Sequence, residues 1–214
     1  MPTQFSFFII GQYGAGKSLF GELIASGVGV PRASTCYIVY EELARQRGVQ
    51  RWELESCPKE EILGDLVRVG NALCDVDPSA LVAPLLERGV RVIDGIRRPG
   101  ELKAARQAAR ACGLWPIVVW VDRHTSVKDN TEVTAADADY VISNHADVAH
   151  LAKLAANFVG EFVTPATEQT TAHFFGEPAI DCDWQQESTD LPSPPHPPHN
   201  ESEGGFDLLG DSQV

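Results

Sequence analysis

The chain has 214 residues, 30 of them acidic and 17 basic, for a formal net charge of −13. Ten of the acids, and no Lys or Arg, fall between Pro165 and Val214, so the first 164 residues carry 20 acids against 17 bases, a net of −3. A body with no basic surplus excludes a nucleic-acid binder that works by phosphate neutralisation, and no apolar run approaches the length of a membrane span.

The start, "MPTQFSFFIIG", has no basic n-region, and its apolar run from Phe5 to Ile10 is too short for a signal segment. The five cysteines, at 36, 57, 74, 112 and 182, form no CxxC pair and no metal-type spacing. That pattern suits a reducing, cytoplasmic compartment.

In chain order, "QFSFFII" (4–10) predicts a strand covered on both faces, because its residues are apolar in succession rather than in alternation. A helix follows in "KSLFGELIAS". "TCYIVY" (35–40) reads equally as a strand or as the start of a helix. The stretch 57–74 predicts a helix, opened by Pro58 and the acids Glu60 and Glu61. A further helix is expected over 77–89, capped by Asp77, ended by Gly89 and kinked at Pro84. "VRVID" (90–94) predicts a second buried strand and 98–113 a helix ending at Gly113. "PIVVWV" (116–121) and "DYVIS" (139–143) predict two more strands, and 147–162 a closing helix. Alternating strands and helices imply right-handed crossovers and a parallel sheet, hence an α/β three-layer fold over residues 1–164. Residues 165–214, with "DLPSPPHPPHNESEGG", are too rich in Pro, Ser and acid to bury a core and are expected to form a disordered tail. "FDLL" (206–209) within it offers a short docking segment for a protein partner.

The motif with most chemistry is Gly11-Gln12-Tyr13-Gly14-Ala15-Gly16-Lys17-Ser18, which fits G-x-x-x-x-G-K-[ST] at every fixed position. It follows an expected strand and opens an expected helix, as the motif requires. Glycines let backbone N–H groups turn inward around phosphate oxygens. Lys17 brings a point charge to the β and γ phosphates, and the Ser18 hydroxyl can ligate Mg²⁺. The helix start adds the positive end of its dipole. A nucleoside triphosphate with Mg²⁺ is the expected ligand.

"VRVIDGIRRPGE" places Asp94 at the carboxyl end of a strand, where α/β sheets bind ligands, so metal or water coordination is expected of it. Arg97 and Arg98 follow at once, and two guanidinium groups there could hold a second phosphate bidentately. Alternatively, one of them pairs with Glu101.

At these residues the sequence resembles P-loop kinases of small phosphorylated metabolites, especially phage deoxynucleoside monophosphate kinases and dephospho-coenzyme A kinases. The similar segments are "IIGQYGAGKSLFGELIAS", "STCYIVYEELARQRG", "EEILGDLVRVGNAL", "VIDGIRRPGELKAAR" and "DADYVISN", in the family's order across residues 5 to 160. The resemblance implies a P-loop fold in which Gly11 to Ser18 bind ATP and Asp94 lies near Mg²⁺ or the acceptor. It implies that Arg97 contacts the acceptor phosphate, with Arg98, Arg45 and Arg68 as further acceptor-side candidates. Arg123 and Lys128 would close over the reaction from a lid. Two positions depart from the family pattern. Thr35-Cys36-Tyr37 stands where relatives often carry an aspartate, and "VDRHTSVKDNTEVTAAD" has only Arg123 and Lys128 as cations.

Two other readings stay open. Asn144 and Asp147 in "SNHAD" have the spacing of a guanine-reading N-K-x-D, with His145 in place of the Lys; the simpler reading is that both cap the following helix. A nucleotide-binding regulator without kinase activity, its tail recruiting a partner, is the other. Trp52 could stack on an acceptor base or simply pack. No His spacing points to a metal site. The acceptor's identity and the oligomeric state, a homodimer included, are not legible at this stage.

Overall fold

The computed structural model describes residues 4–124 and 130–162. Lys128 and the whole stretch from Pro165, Phe206 to Leu209 included, lie outside the described residues. The first half of the fold comprises β1 (Phe5–Ile10), α1 (Lys17–Val28), β2 (Arg32–Ser34), α2 (Cys36–Arg47), α3 (Arg51–Glu55) and α4 (Lys59–Val76). The second half comprises α5 (Ala83–Glu87), β3 (Val92–Asp94), α6 (Pro99–Ala111), β4 (Trp115–Asp122), a 3₁₀ turn (Ala135–Asp137), β5 (Tyr140–Ser143) and α7 (Val148–Phe162). The strands form one sheet in the order β2-β3-β1-β4-β5, and every pair is parallel.

The alternation of side chains along a strand distributes this sheet between two cores. Phe7 and Ile9 of β1, with Val92 of β3 and Ile117, Val119 and Val121 of β4, face one side. There they meet Phe20 and Ile24 of α1 and Leu151, Ala155 and Phe158 of α7. Phe8 and Ile10, with Ile93, Val118 and Trp120, face the other side and meet residues of α2, α4, α5 and α6. Because both faces are covered, residues 7–10 of β1 and 117–121 of β4 read as unbroken apolar runs. Phe7 and Phe8 are completely buried, and each contributes roughly 2–3 kcal/mol by area removed from water. Phe158 adds edge-to-face packing, its ring 5.9 Å from that of Phe7 and 5.2 Å from that of Tyr140.

Several sequence expectations are corrected here. Of the two readings left open for "TCYIVY", the helix is the one that forms, with Cys36 to Tyr40 opening α2. Ile38, Val39, Leu43 and Ala44 are its buried residues, a helical stripe that outweighs the strand preference of β-branched side chains. The second strand in sequence is instead β2, three half-buried residues at the sheet edge. The helix expected over 77–89 forms only at Ala83–Glu87. Asp77 Oδ1 accepts from the Ser79 N–H and hydroxyl, both at 2.8 Å, in a turn of its own. Pro84 therefore sits in the first turn of α5 instead of kinking a longer helix. Among the described residues no helix is long and apolar enough to cross a membrane.

Since all five strands run the same way, their carboxyl ends share one edge of the sheet. The glycine turn follows β1 there, Thr35 follows β2, Gly95 follows β3, Arg123 follows β4 and Asn144 follows β5.

Candidate functional site

The glycine turn spans Gly11 to Gly16, between the last residue of β1 and the first of α1. Gly11 has φ +146°, and a Cβ there would lie 2.5 Å from the Val121 carbonyl oxygen of β4. Gly16 has φ +92°, and a Cβ there would meet Asn144 Nδ2 at 2.7 Å. Both positions require glycine, for space and for backbone angle. Between them Ala15 is fully buried, and its N–H donates to the Gln12 carbonyl at 3.2 Å. No side chain caps α1, and its first turn carries no acid. The positive end of the helix dipole is therefore offered to an anion at this point. Lys17 folds back over the turn, Nζ donating to the carbonyls of Gly11 at 2.8 Å and Gln12 at 2.6 Å. Ser18 stands exposed in the first helical turn.

Asn144 ties this turn to the far strand. It is 2 % exposed, donates from Nδ2 to the Ala15 carbonyl at 2.8 Å, and donates its backbone N–H to the Asp122 carbonyl at 2.7 Å. The expectation that Asn144 caps the next helix is thus corrected: its amide is spent on the glycine turn. Asp147 alone caps α7, its Oδ1 accepting from the His150 N–H at 2.8 Å. That bond uses one of the two N–H donors of the Asn144 amide. Beside it, His145 Nε2 lies 3.2 Å from Asp122 Oδ2, and the His145 and His124 rings stack at 5.1 Å.

Asp94, at the end of β3, is buried and ion-paired through Oδ2 with Arg32 of β2. Sequence reasoning did not single out Arg32. Its one signal was a cation placed just before a strand-ending Ala-Ser-Thr, which is too common to be read alone.

The arginines separate clearly. Arg98 is engaged on three sides: Nη1 donates to Asp75 Oδ1 at 2.7 Å, Nη2 donates to Asn71 Oδ1, and Nε lies 3.6 Å from Glu101 Oε1. Those partners push the Arg98 pKa up, the Asp75 hydrogen bond most. It is the arginine that pairs with Glu101 and is committed to α4 and α6. Arg97 is held by its backbone. Its N–H donates to Glu101 Oε2 at 3.1 Å, and its carbonyl accepts from the N–H groups of Glu132 and Val133 at 2.8 and 3.1 Å. Its exposed guanidinium has no partner among the described residues.

Arg97 lines two adjoining spaces. One, of about 90 Å³, lies between α2, α4 and the end of β3 and is walled by Val39, Leu63, Leu66, Val67 and Leu81, with Thr35 and Gly95 at its rim. The other, of about 470 Å³, is polar and includes Arg98, Asn130 and Glu132. Arg45 and Arg68 line neither. Arg45 clasps Glu42 through Nε and Nη2, both at 2.7 Å, and that contact, ahead of the Gln46 hydrogen bond, holds the Glu42 carboxyl down at about 2. Arg68 bonds Asp65 Oδ1 one turn earlier on α4 at 3.1 and 3.4 Å. Trp52 is 65 % exposed on α3 and lines neither space. Arg123 is exposed beyond β4 with no partner among the described residues. Close to the cavity, burial first and Glu101 second push the Cys74 thiol up to about 12, so it stays neutral.

Compared with known proteins, the chain matches no family model, and no curated protein matches it. Among solved structures it is similar to "a putative kinase from chloroflexus aurantiacus j-10-fl", at 16 % identity and a TM-score of 0.35. That likeness covers 56 % of this chain and 60 % of the other, so less than two thirds of the other protein is spanned.

Proposed function

We propose that this chain is a P-loop nucleotide kinase. It moves the γ-phosphoryl group of ATP to a small phosphorylated acceptor, with a deoxynucleoside monophosphate the acceptor of first choice. The observation that carries the reading is the Arg97 guanidinium, which has no partner among the described residues. It stands at the mouth of an apolar cavity, three residues beyond Asp94, on the sheet edge that also holds the glycine turn.

Phosphoryl transfer depends on positioning and charge neutralisation more than on covalent help from the protein. In this reading the amides of Gly11 to Gly16 and the start of α1 cradle the β and γ phosphates. Lys17 exchanges the carbonyls of Gly11 and Gln12 for phosphate oxygens, so its present contacts hold the ammonium close to where it acts. Arg97 binds the acceptor phosphate and aligns one of its oxygens with the γ-phosphorus. That oxygen forms the new bond as the bond to the ADP oxygen breaks. In this reading Arg123, which follows β4, contributes charge to the transferred group.

The residues fit the Mg²⁺ that accompanies ATP. Ser18 offers an exposed hydroxyl, and Arg32 occupies only Oδ2 of Asp94, leaving Oδ1 for a water of the metal's shell. The ion would supply neutralising charge on the β and γ phosphates.

A second reading, a nucleotide-binding regulator without transfer, draws on the same ion pair, since Arg32 already neutralises the carboxylate that chemistry would use. Measurement of ADP formation from Mg-ATP against a panel of nucleoside and deoxynucleoside monophosphates, with dephospho-coenzyme A included, separates the two. Strong stimulation by one acceptor is the expected result. Binding of ATP with no stimulation by any acceptor would overturn the kinase reading in favour of the regulator, and a preference for GTP would point to a switch.

A further inference from the structure

The α4 helix turns one face to the cavity, and four residues spaced four apart lie along it: Lys59, Leu63, Val67 and Asn71. Leu63 and Val67 remain 45 % and 36 % exposed, an apolar strip that a flat ring laid along the helix would cover. Asn71 closes the strip and lines both spaces that meet at Arg97.

The orientation of the Asn71 amide follows from chemistry. Arg98 Nη2 bonds Asn71 Oδ1, and a guanidinium only donates, so the oxygen of the amide faces Arg98. Arg98 cannot drift, because Asp75 and Glu101 hold it. The amide is therefore locked with Nδ2, a pure donor, turned away from Arg98, and Nδ2 has no partner among the described residues.

We infer that Asn71 determines acceptor specificity: its locked N–H₂ group reads a carbonyl oxygen on the ring lying over Leu63 and Val67. The inference rests on the kinase reading and narrows its acceptor. Thymine, uracil and guanine present a carbonyl at that edge of the ring. Adenine and cytosine present an amine there, so the exposed Nδ2 keeps water as its partner and gains no bond to the ring. The discrimination is that of one hydrogen bond gained or not gained, roughly 1 kcal/mol or more, on the order of tenfold in affinity.

The test is equilibrium binding of dTMP, dGMP, dAMP and dCMP to the full chain by calorimetry, with ADP formation measured for each. The wild type should bind dTMP and dGMP at least about tenfold more tightly than dAMP and dCMP. Asn71→Asp keeps the contact to Arg98 but replaces the donor by an acceptor, so its preference should invert toward dAMP and dCMP. Asn71→Ala should flatten the preference. If nucleotides drive ADP formation but the order of preference is the same in all three proteins, Asn71 is not the reader and the kinase reading stands. If no nucleotide binds or drives ADP formation, the kinase reading falls and this inference with it.

Discussion

Replacing Asn144 by Ala tests how the glycine turn is held in place. The variant removes the bond from Nδ2 to the carbonyl of the fully buried Ala15. An orphaned buried carbonyl costs about 1–3 kcal/mol. The space left by the missing amide adds about 0.6 kcal/mol, from roughly 25–30 Å³ at ~24 cal/mol per Å³. The sum, about 2–4 kcal/mol, corresponds to a melting temperature lower by roughly 5–15 °C for a chain of this size. Thermal melting by circular dichroism reads that loss, and calorimetric titration with Mg-ATP reads the turn itself, whose affinity should fall at least about tenfold. Asp147→Ala is the control: it removes only the α7 cap, costing about 1 kcal/mol, and should leave ATP affinity unchanged. An Asn144→Ala protein that melts within about 1 °C of the wild type and binds ATP as tightly would refute the reasoning.

Lys17→Ala should abolish ADP formation while the circular dichroism spectrum stays that of the folded chain; undiminished turnover would remove Lys17 from the chemistry. Arg97→Ala should raise the KM for the acceptor and leave that for ATP nearly unchanged, and equal effects on both would take Arg97 out of the acceptor site. Cys74 should resist alkylation in the folded protein at pH 8 while the exposed Cys112 reacts, as mass spectrometry of the modified peptides would show. Because its folded value is raised, the stability it contributes is complete below the ordinary thiol value of 9.0 and is lost as pH climbs toward about 12. Cys74→Ala should flatten that alkaline decline, and an unchanged slope would rule Cys74 out as its source.

The sheet was legible in the sequence where strands are covered on both sides. Residues 7–10 of β1 and the apolar run inside β4 announce themselves because burial on two faces leaves no polar alternation. β2 was not legible: its residues, Arg32, Ala33 and Ser34, are half-buried at an edge, and three residues carry no period. The glycine turn was plain because its pattern is local. The contacts that hold it were not, since Asn144 reaches Ala15 across 129 positions and Arg32 reaches Asp94 across 62. No local rule couples residues so far apart. Arg97 and Arg98 show the same limit at shorter range. They are adjacent and chemically identical, yet α4 supplies Asp75 and Asn71 to one and nothing to the other.

The alternation along β1 has a consequence for how such a chain can change over time. Phe7 and Ile9 belong to one interior with α1 and α7, while Phe8 and Ile10 belong to a second with α2, α4, α5 and α6. Substitutions in separate interiors share few neighbours, so their effects on stability combine nearly independently. The helices that wall the small cavity can therefore be re-sculpted one side chain at a time, while the interior beneath the glycine turn keeps its packing. An ancestral chain of this design could diversify what it accommodates beside α4 without disturbing the seat of Lys17 and Ser18. The dividing strand, and the carbonyl of Val121 pressed against Gly11, would be the last parts free to vary.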